Sequence, residues 1–194
     1  VYLAQGRLGD SASLHEESLA MDRRLHGSKD HGDVAASLCS LAQVYAAEGR
    51  LNEAASMQHG ALAMLRRIHG NQAHSTVAAC LWSLAHVFMA QGRLSDSALL
   101  YEESLAMLRR IHGGKDNSDV VASMSLSALV NMTQDRLDDS ASLHEESLAM
   151  LQRMSGSKNR SEVAALMWSL AHVYRSQGRL EEYAKLQAES LAML

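Results

Sequence analysis

Between Val34 and Glu48 the apolar residues Val34, Leu38, Leu41, Ala42 and Tyr45 fall at i, i+4, i+7, i+8 and i+11. That spacing marks one face of an amphipathic helix. Gly49 follows directly and predicts its end, because glycine closes a helix in the left-handed conformation without a Cβ clash. A second stripe runs from Leu51 to Ile68 through Ala54, Ala55, Met57, Ala61, Leu62 and Leu65, and Gly70 stops it. No stretch alternates with a period of two, so pairs of helices and no sheet are predicted.

The pair then recurs. The triplet GRL stands at Gly6, Gly49, Gly92 and Gly178, and DRL fills the intervening place at Asp135, all on a spacing of 43 residues. LRRIHG at 65–70 returns at 108–113, and SASLHEESLAM occurs at 11–21 and 140–150, three periods apart. A strict period of this length is the mark of a stacked helical array, in which each tile buries its apolar face against its neighbour. Tile ends carry the expected punctuation. Ser75, Ser118 and Ser161 are predicted N-caps of the first helices. Acidic residues (Asp96, Asp138, Asp139, Glu181, Glu182) open the second helices, and arginine pairs (Arg23-Arg24, Arg66-Arg67, Arg109-Arg110) close them, as the helix dipole favours.

The stretch SLAQVYAAEGRLNEAASMQHGAL resembles the tetratricopeptide repeat, with Leu41, Ala42, Tyr45, Gly49, Ala54, Ala61 and Leu62 in that motif's signature places. The longer tile, with GSKDHGDVAASLCSLA, is similar to the kinesin-light-chain variety. The resemblance covers the whole chain. It implies an all-α fold, a right-handed superhelical solenoid of helix-turn-helix repeats that binds protein partners in a concave groove. One solenoid over residues 1–194 is expected: a partial first repeat (1–32), full repeats at 33–75, 76–118 and 119–161, and a truncated last repeat (162–194). Val1 to Gln5 reads as the end of a helix, and the whole as a segment of a longer array. Departures are local. Gly32, Ser75, Ser118 and Ser161 replace the family's proline, Tyr183 fills an alanine place, and the tile from Asp119 has Ser127, Asn131 and Asp135 where Leu, Tyr and Gly are expected. That tile is expected to be the weakest.

Composition narrows the function. With 18 Lys+Arg against 22 Asp+Glu the net charge is −4, the wrong sign for a nucleic-acid binder. No apolar run reaches the ~18 residues that would cross a membrane, and no charged-then-apolar leader opens the chain. Cys39 and Cys80 sit in no Cys-x-x-Cys spacing and read as reduced thiols, which predicts a cytoplasmic protein.

Little catalytic chemistry is encoded. In His15-Glu16-Glu17 and His144-Glu145-Glu146 consecutive side chains point about 100° apart and cannot converge on one ion. These histidines share a place with Gln58, Tyr101 and Gln187, predicted to be a semi-buried slot between helices. His26, His69 and His112 precede helix-ending glycines and read as dipole-complementing caps. No metal, cofactor or enzymatic activity is expected.

What remains is a surface. By the resemblance, the groove-lining places hold Cys39 and Gln43, then Trp82, His86 and Met89, then Leu129 and Met132, then Trp168, His172 and Arg175. These are the predicted partner-binding residues, on helices almost free of charge. The histidines follow each tryptophan at i+4 and are expected to add a pH-sensitive edge near ~6.5. The expected partner is a protein or peptide with apolar anchors. Self-association through exposed terminal repeats, or a regulatory array of a larger protein, are the alternatives.

Overall fold

A computed structural model describes residues 7–155 and 160–193. The predicted helix end at Val1 to Gln5 lies outside these residues. Among them are nine α-helices and no strand: α1 (Leu8–His26), α2 (Gly32–Ala47), α3 (Leu51–His69), α4 (Ser75–Ala90), α5 (Leu94–His112), α6 (Ser118–Thr133), α7 (Leu137–Ser155), α8 (Arg160–Ser176) and α9 (Leu180–Met193). They form two compact units, Val1–Leu100 and Tyr101–Leu194, with the division inside α5. In the first unit α1 packs on α2, α2 on α3 and α3 on α4; in the second, α6 packs on α7, α7 on α8 and α8 on α9.

The predicted stripes are the buried ones in the main, but Ile68 at the end of α3 is exposed, because it lies in the last turn of its helix, and Leu51 and Met57 are half-buried. Leu38, Leu41, Ala42 and Tyr45 of α2 are buried, as are Leu81, Leu84, Ala85 and Phe88 of α4. Each fully buried leucine contributes about 2 kcal/mol of transfer free energy. Alanine and serine at the tightest places let helices approach closely. Ser97 of α5, for instance, donates its hydroxyl to the Ala85 carbonyl of α4 at 2.8 Å.

The predicted caps are corrected by one residue or more. Ser75 and Ser118 are first residues of their helices, and Ser161 lies inside α8. The caps are His31, whose Nδ1 accepts the Asp33 N–H, His74, whose Nδ1 accepts the Thr76 N–H, and Asn117, whose Oδ1 accepts from Asp119 and Val120. All three have extended backbones, with φ of −140°, −136° and −152°. A neutral imidazole nitrogen offers the same lone pair as a serine oxygen, so at His74 residue preference pointed to the wrong neighbour, and at Asn117 it could not choose between two equal candidates.

A ring-and-guanidinium pair recurs at three of the turns between paired helices. Arg50 lies 3.7 Å over the Tyr45 ring, Arg93 3.8 Å over Phe88 and Arg179 3.8 Å over Tyr174. These stacks add a cation–π attraction to the packing. The same rings reach the preceding tile. Tyr45 donates its hydroxyl to Glu16 at 2.7 Å and Tyr174 to Glu145 at 2.7 Å. Phe88 has no hydroxyl, and its partner is an aromatic ring instead, that of His59 at 5.6 Å.

The tile from Asp119 breaks this scheme. Asn131 replaces the ring, and Arg136 donates to its Oδ1 while approaching Glu102 at 3.7 Å. Ser127 is 2 % exposed at a place occupied by Leu41, Leu84 and Leu170 in the sister tiles. The hydroxyls of Ser123 and Ser127 are buried with no hydrogen-bond partner. Such groups cost about 1–3 kcal/mol each. The turn after α6 adds strain: Gly49, Gly92 and Gly178 take φ of 77°, 73° and 77°, and Asp135 is forced to 61°. Local opening is therefore expected here first. Amides of residues 120–136 should exchange with solvent faster than those of 77–91, and Asp135→Gly should slow them by raising stability about 0.5–1 kcal/mol. Hydrogen-exchange mass spectrometry of both proteins checks this; equal protection of the two segments would refute the assignment of the weak tile.

Candidate functional site

The sequence-predicted binding residues all lie on first helices of tiles, and none is buried. In the first unit, Cys39 (half-buried) and Gln43 (exposed) come from α2, and Trp82, His86 and Met89 (half-buried) from α4. Two clefts open between these helices. One, of about 430 Å³, is lined by Cys39, Gln43, Leu65, Cys80 and Ser83 among others. The second, of about 360 Å³, is lined by Gln43, Ala46, Trp82, Ser83 and His86. Gln43 and Ser83 border both, so the two clefts adjoin. Met89 borders neither of them.

The i+4 relation between tryptophan and histidine becomes a direct contact. The Trp82 and His86 rings meet edge to face at 4.4 Å and 60°, and the Trp168 and His172 rings at 4.0 Å and 60°. Burial holds the His86 imidazole below the usual histidine range, so its charge appears at lower pH than the sequence reading placed it. In the second unit Trp168 is 54 % exposed and Leu129 40 %. Met132 and His172 are half-buried, and Arg175 is exposed with its guanidinium 6.0 Å from the Tyr183 ring. An indole with half its surface in water is not serving as core between tiles; Leu166, Met167 and Leu170 fill that role.

Two features escaped the sequence reading. Cys39 and Cys80 come from neighbouring first helices and meet at 3.9 Å between sulfurs. Their contact lowers the Cys39 thiol and, with burial, raises that of Cys80, whose S–H also reaches Gln58 Oε1 at 3.3 Å. They stand 41 residues apart in sequence, and only the stacking of tiles brings them together. Secondly, His26 and His69 do more than end their helices: each ring stacks on a second imidazole, His31 at 3.5 Å and His74 at 3.6 Å.

The predicted semi-buried slot is uneven. Gln58, Tyr101 and His144 are buried, His15 is half-buried and Gln187 is exposed. Gln187 belongs to α9, and no later helix among the described residues covers it. Burial drives the His144 pKa down to about 4, and its Nδ1 has no hydrogen-bond partner. Of the adjoining glutamates, Glu145 accepts from the Tyr174 hydroxyl and Glu146 from Arg109.

The family model for the tetratricopeptide repeat matches residues 1–67 and 33–110. The chain belongs to the tetratricopeptide repeat family. Solved structures of the same architecture extend the likeness to the remaining tiles. The nearly identical TPR-like repeats assigned to a kinesin light chain of Podosopora anserina match with a TM-score of 0.86 at 22 % identity, covering 99 % of this chain and 89 % of that one. BtubC (BKLC) from P. vanneervenii matches with a TM-score of 0.87 at 20 % identity, over 99 % and 75 % of the two chains. MamA matches at 0.69 and 13 % identity, over 99 % and 91 %. No curated protein matches in sequence. These structures show the fold: a kinesin-light-chain-like tetratricopeptide solenoid. Tetratricopeptide repeats are in general modules for binding proteins rather than catalysts, and no helix among the described residues is long and apolar enough to cross a membrane.

Proposed function

We propose that this tetratricopeptide array is a non-catalytic cytoplasmic scaffold that holds an apolar partner segment against its first helices. In the first unit the receiving surface is the pair of adjoining clefts with Cys39, Gln43, Trp82 and His86; Met89 extends it. In the second it is the face of α6 and α8 carrying Leu129, Met132, Trp168, His172 and Arg175. The observation that carries this reading is the exposure of Trp168, a large apolar side chain held in the open beside a histidine on a face with little charge. Tryptophan and arginine are the residues that most often dominate interface energetics, because a rigid ring buries much area for little lost freedom.

The test is a binding titration. A partner recovered by pull-down with the wild-type chain is titrated against Trp82→Ala and Trp168→Ala. Each substitution is expected to weaken binding about thirty-fold, equivalent to ~2 kcal/mol. Unchanged affinity in both folded variants would overturn the assignment of these faces. A second reading, self-association, is favoured by exposed Leu14, Met21 and Leu25 on α1 and Leu191 on α9. Molar mass measured on the same preparations across concentrations separates it from the first.

A further inference from the structure

The loop that joins α1 to α2 brings three metal-ligating side chains together. His26 is the last residue of α1, His31 caps α2, and Asp33 stands in the first turn of α2. Asp33 Oδ2 lies 3.3 Å from His26 Nε2 and 3.4 Å from His31 Nδ1. One donor atom from each residue falls within 4.8 Å of the others. His26 Nε2 is buried, and no hydrogen bond satisfies it. The loop is braced next door, where Arg67 of α3 holds Asp30 through two hydrogen bonds of 2.6 and 2.7 Å.

We propose that His26, His31 and Asp33 form a binding site for a zinc-class divalent cation. Imidazole nitrogen with carboxylate oxygen is the donor set that borderline ions of this class prefer. Bonds of about 2.0–2.2 Å in a tetrahedron place neighbouring donors about 3.3–3.6 Å apart. The two donor separations at Asp33 match that edge. Two adjustments accompany uptake. The rings of His26 and His31 lie nearly parallel, at 8°, so they must fan apart for their in-plane lone pairs to converge. His31 Nδ1 also accepts the Asp33 N–H at 3.2 Å, so His31 either ligates through Nε2 or exchanges that bond for the ion. Three protein ligands leave a fourth position for water or an exogenous donor. The bound ion would tie the end of α1 to the start of α2.

The chain contains its own controls. The same loop recurs 43 residues later with His69, His74 and Thr76, and again with His112, Asn117 and Asp119. In the second copy the imidazole stack is kept at 3.6 Å, and the Thr76 hydroxyl lies 2.8 Å from His74 Nδ1 and 3.5 Å from His69 Nε2. A hydroxyl there supplies no anionic ligand. The third copy keeps the carboxylate and replaces the capping imidazole by Asn117. Each sister loop therefore lacks one donor of the set. Asp33→Thr and His31→Asn copy arrangements that these loops already adopt, so both variants are compatible with folding.

Calorimetric titration of the chelator-treated full chain with zinc chloride tests the site, and cobalt(II) reports the coordination by its visible absorption. Wild type is expected to take up one equivalent with a four-coordinate cobalt spectrum. Asp33→Thr and His31→Asn should each lower the affinity at least ten-fold. Thr76→Asp should create a second equivalent in the next loop. The proposal is overturned if Asp33→Thr and His31→Asn bind zinc as wild type does, or if Thr76→Asp leaves the stoichiometry unchanged.

Discussion

Acidification from pH 7 to pH 4 is expected to remove about 3 kcal/mol of stability from the unit containing His144, through that residue alone. In the unfolded chain a histidine titrates near ~6.5. In the folded protein burial lowers the His144 pKa to about 4, because its charged form would sit among apolar side chains with Nδ1 unpartnered. Above ~6.5 the ring is neutral in both states, and its full contribution is present. As the pH falls, the unfolded chain takes up a proton that the folded one resists, so stability declines through the window and levels off below the folded pKa. His69 and His86, in the other unit, are shifted the same way by burial. The carboxylates of Asp30 and Asp116, held low by Arg67 and Arg153, titrate below this window. His144→Gln copies Gln58, which occupies the same slot two tiles earlier at 1 % exposure. Melting of this variant at pH 7 and pH 4.5 should show a much smaller loss than wild type. An equal loss would place the acid sensitivity elsewhere.

The second large effect separates core from surface within a single helix. Leu170→Ala should cost roughly 3 kcal/mol, since Leu170 is 3 % exposed and its removal leaves a void in the core. Trp168→Ala, two residues away, should cost much less than this, because half of the indole already meets water. Urea unfolding of both variants reads the difference. A Trp168 variant as unstable as the Leu170 variant would return the indole to the core and leave the binding surface of that unit without its anchor.

The helices were legible because the apolar stripe and the closing glycines recur at a fixed period, and each recurrence is an independent reading of one local rule. Asp135 in a glycine place, with Ser127 and Asn131 on the buried stripe, could be recognised as a weak tile for the same reason. The cap at His74 was misplaced because the acceptor is an imidazole nitrogen and residue preference ranks serine above histidine, and that at Asn117 because the same preference ranks asparagine with the serine beside it. The exposure of Trp168 could be anticipated from its place on the first helix, although the sequence could not choose between groove and core. The contact of Cys39 with Cys80 was hidden because it depends on how closely two tiles stack. The convergence of His26, His31 and Asp33 was hidden for a different reason. It depends on the path of a five-residue loop, which turns two rings face to face and aims a carboxylate at both.

The alternation of partners behind the stacked rings has a bearing on how such a chain finds its own order. Tiles that share eleven consecutive residues, as at 11–21 and 140–150, could in principle dock on the wrong neighbour during folding, since their apolar stripes are interchangeable. The partners of the rings differ at neighbouring junctions. Glu16 finds a phenol at Tyr45, whereas Phe88 would leave that carboxylate without a donor; His59 meets the Phe88 ring through its own. An exchange between the junctions of Tyr45 and Phe88 thus carries a small mismatch penalty, whereas Glu16 with Tyr45 and Glu145 with Tyr174 use the same pair. In a chain whose hydrophobic code says almost the same thing five times, these few side chains tell a tile from its immediate neighbour.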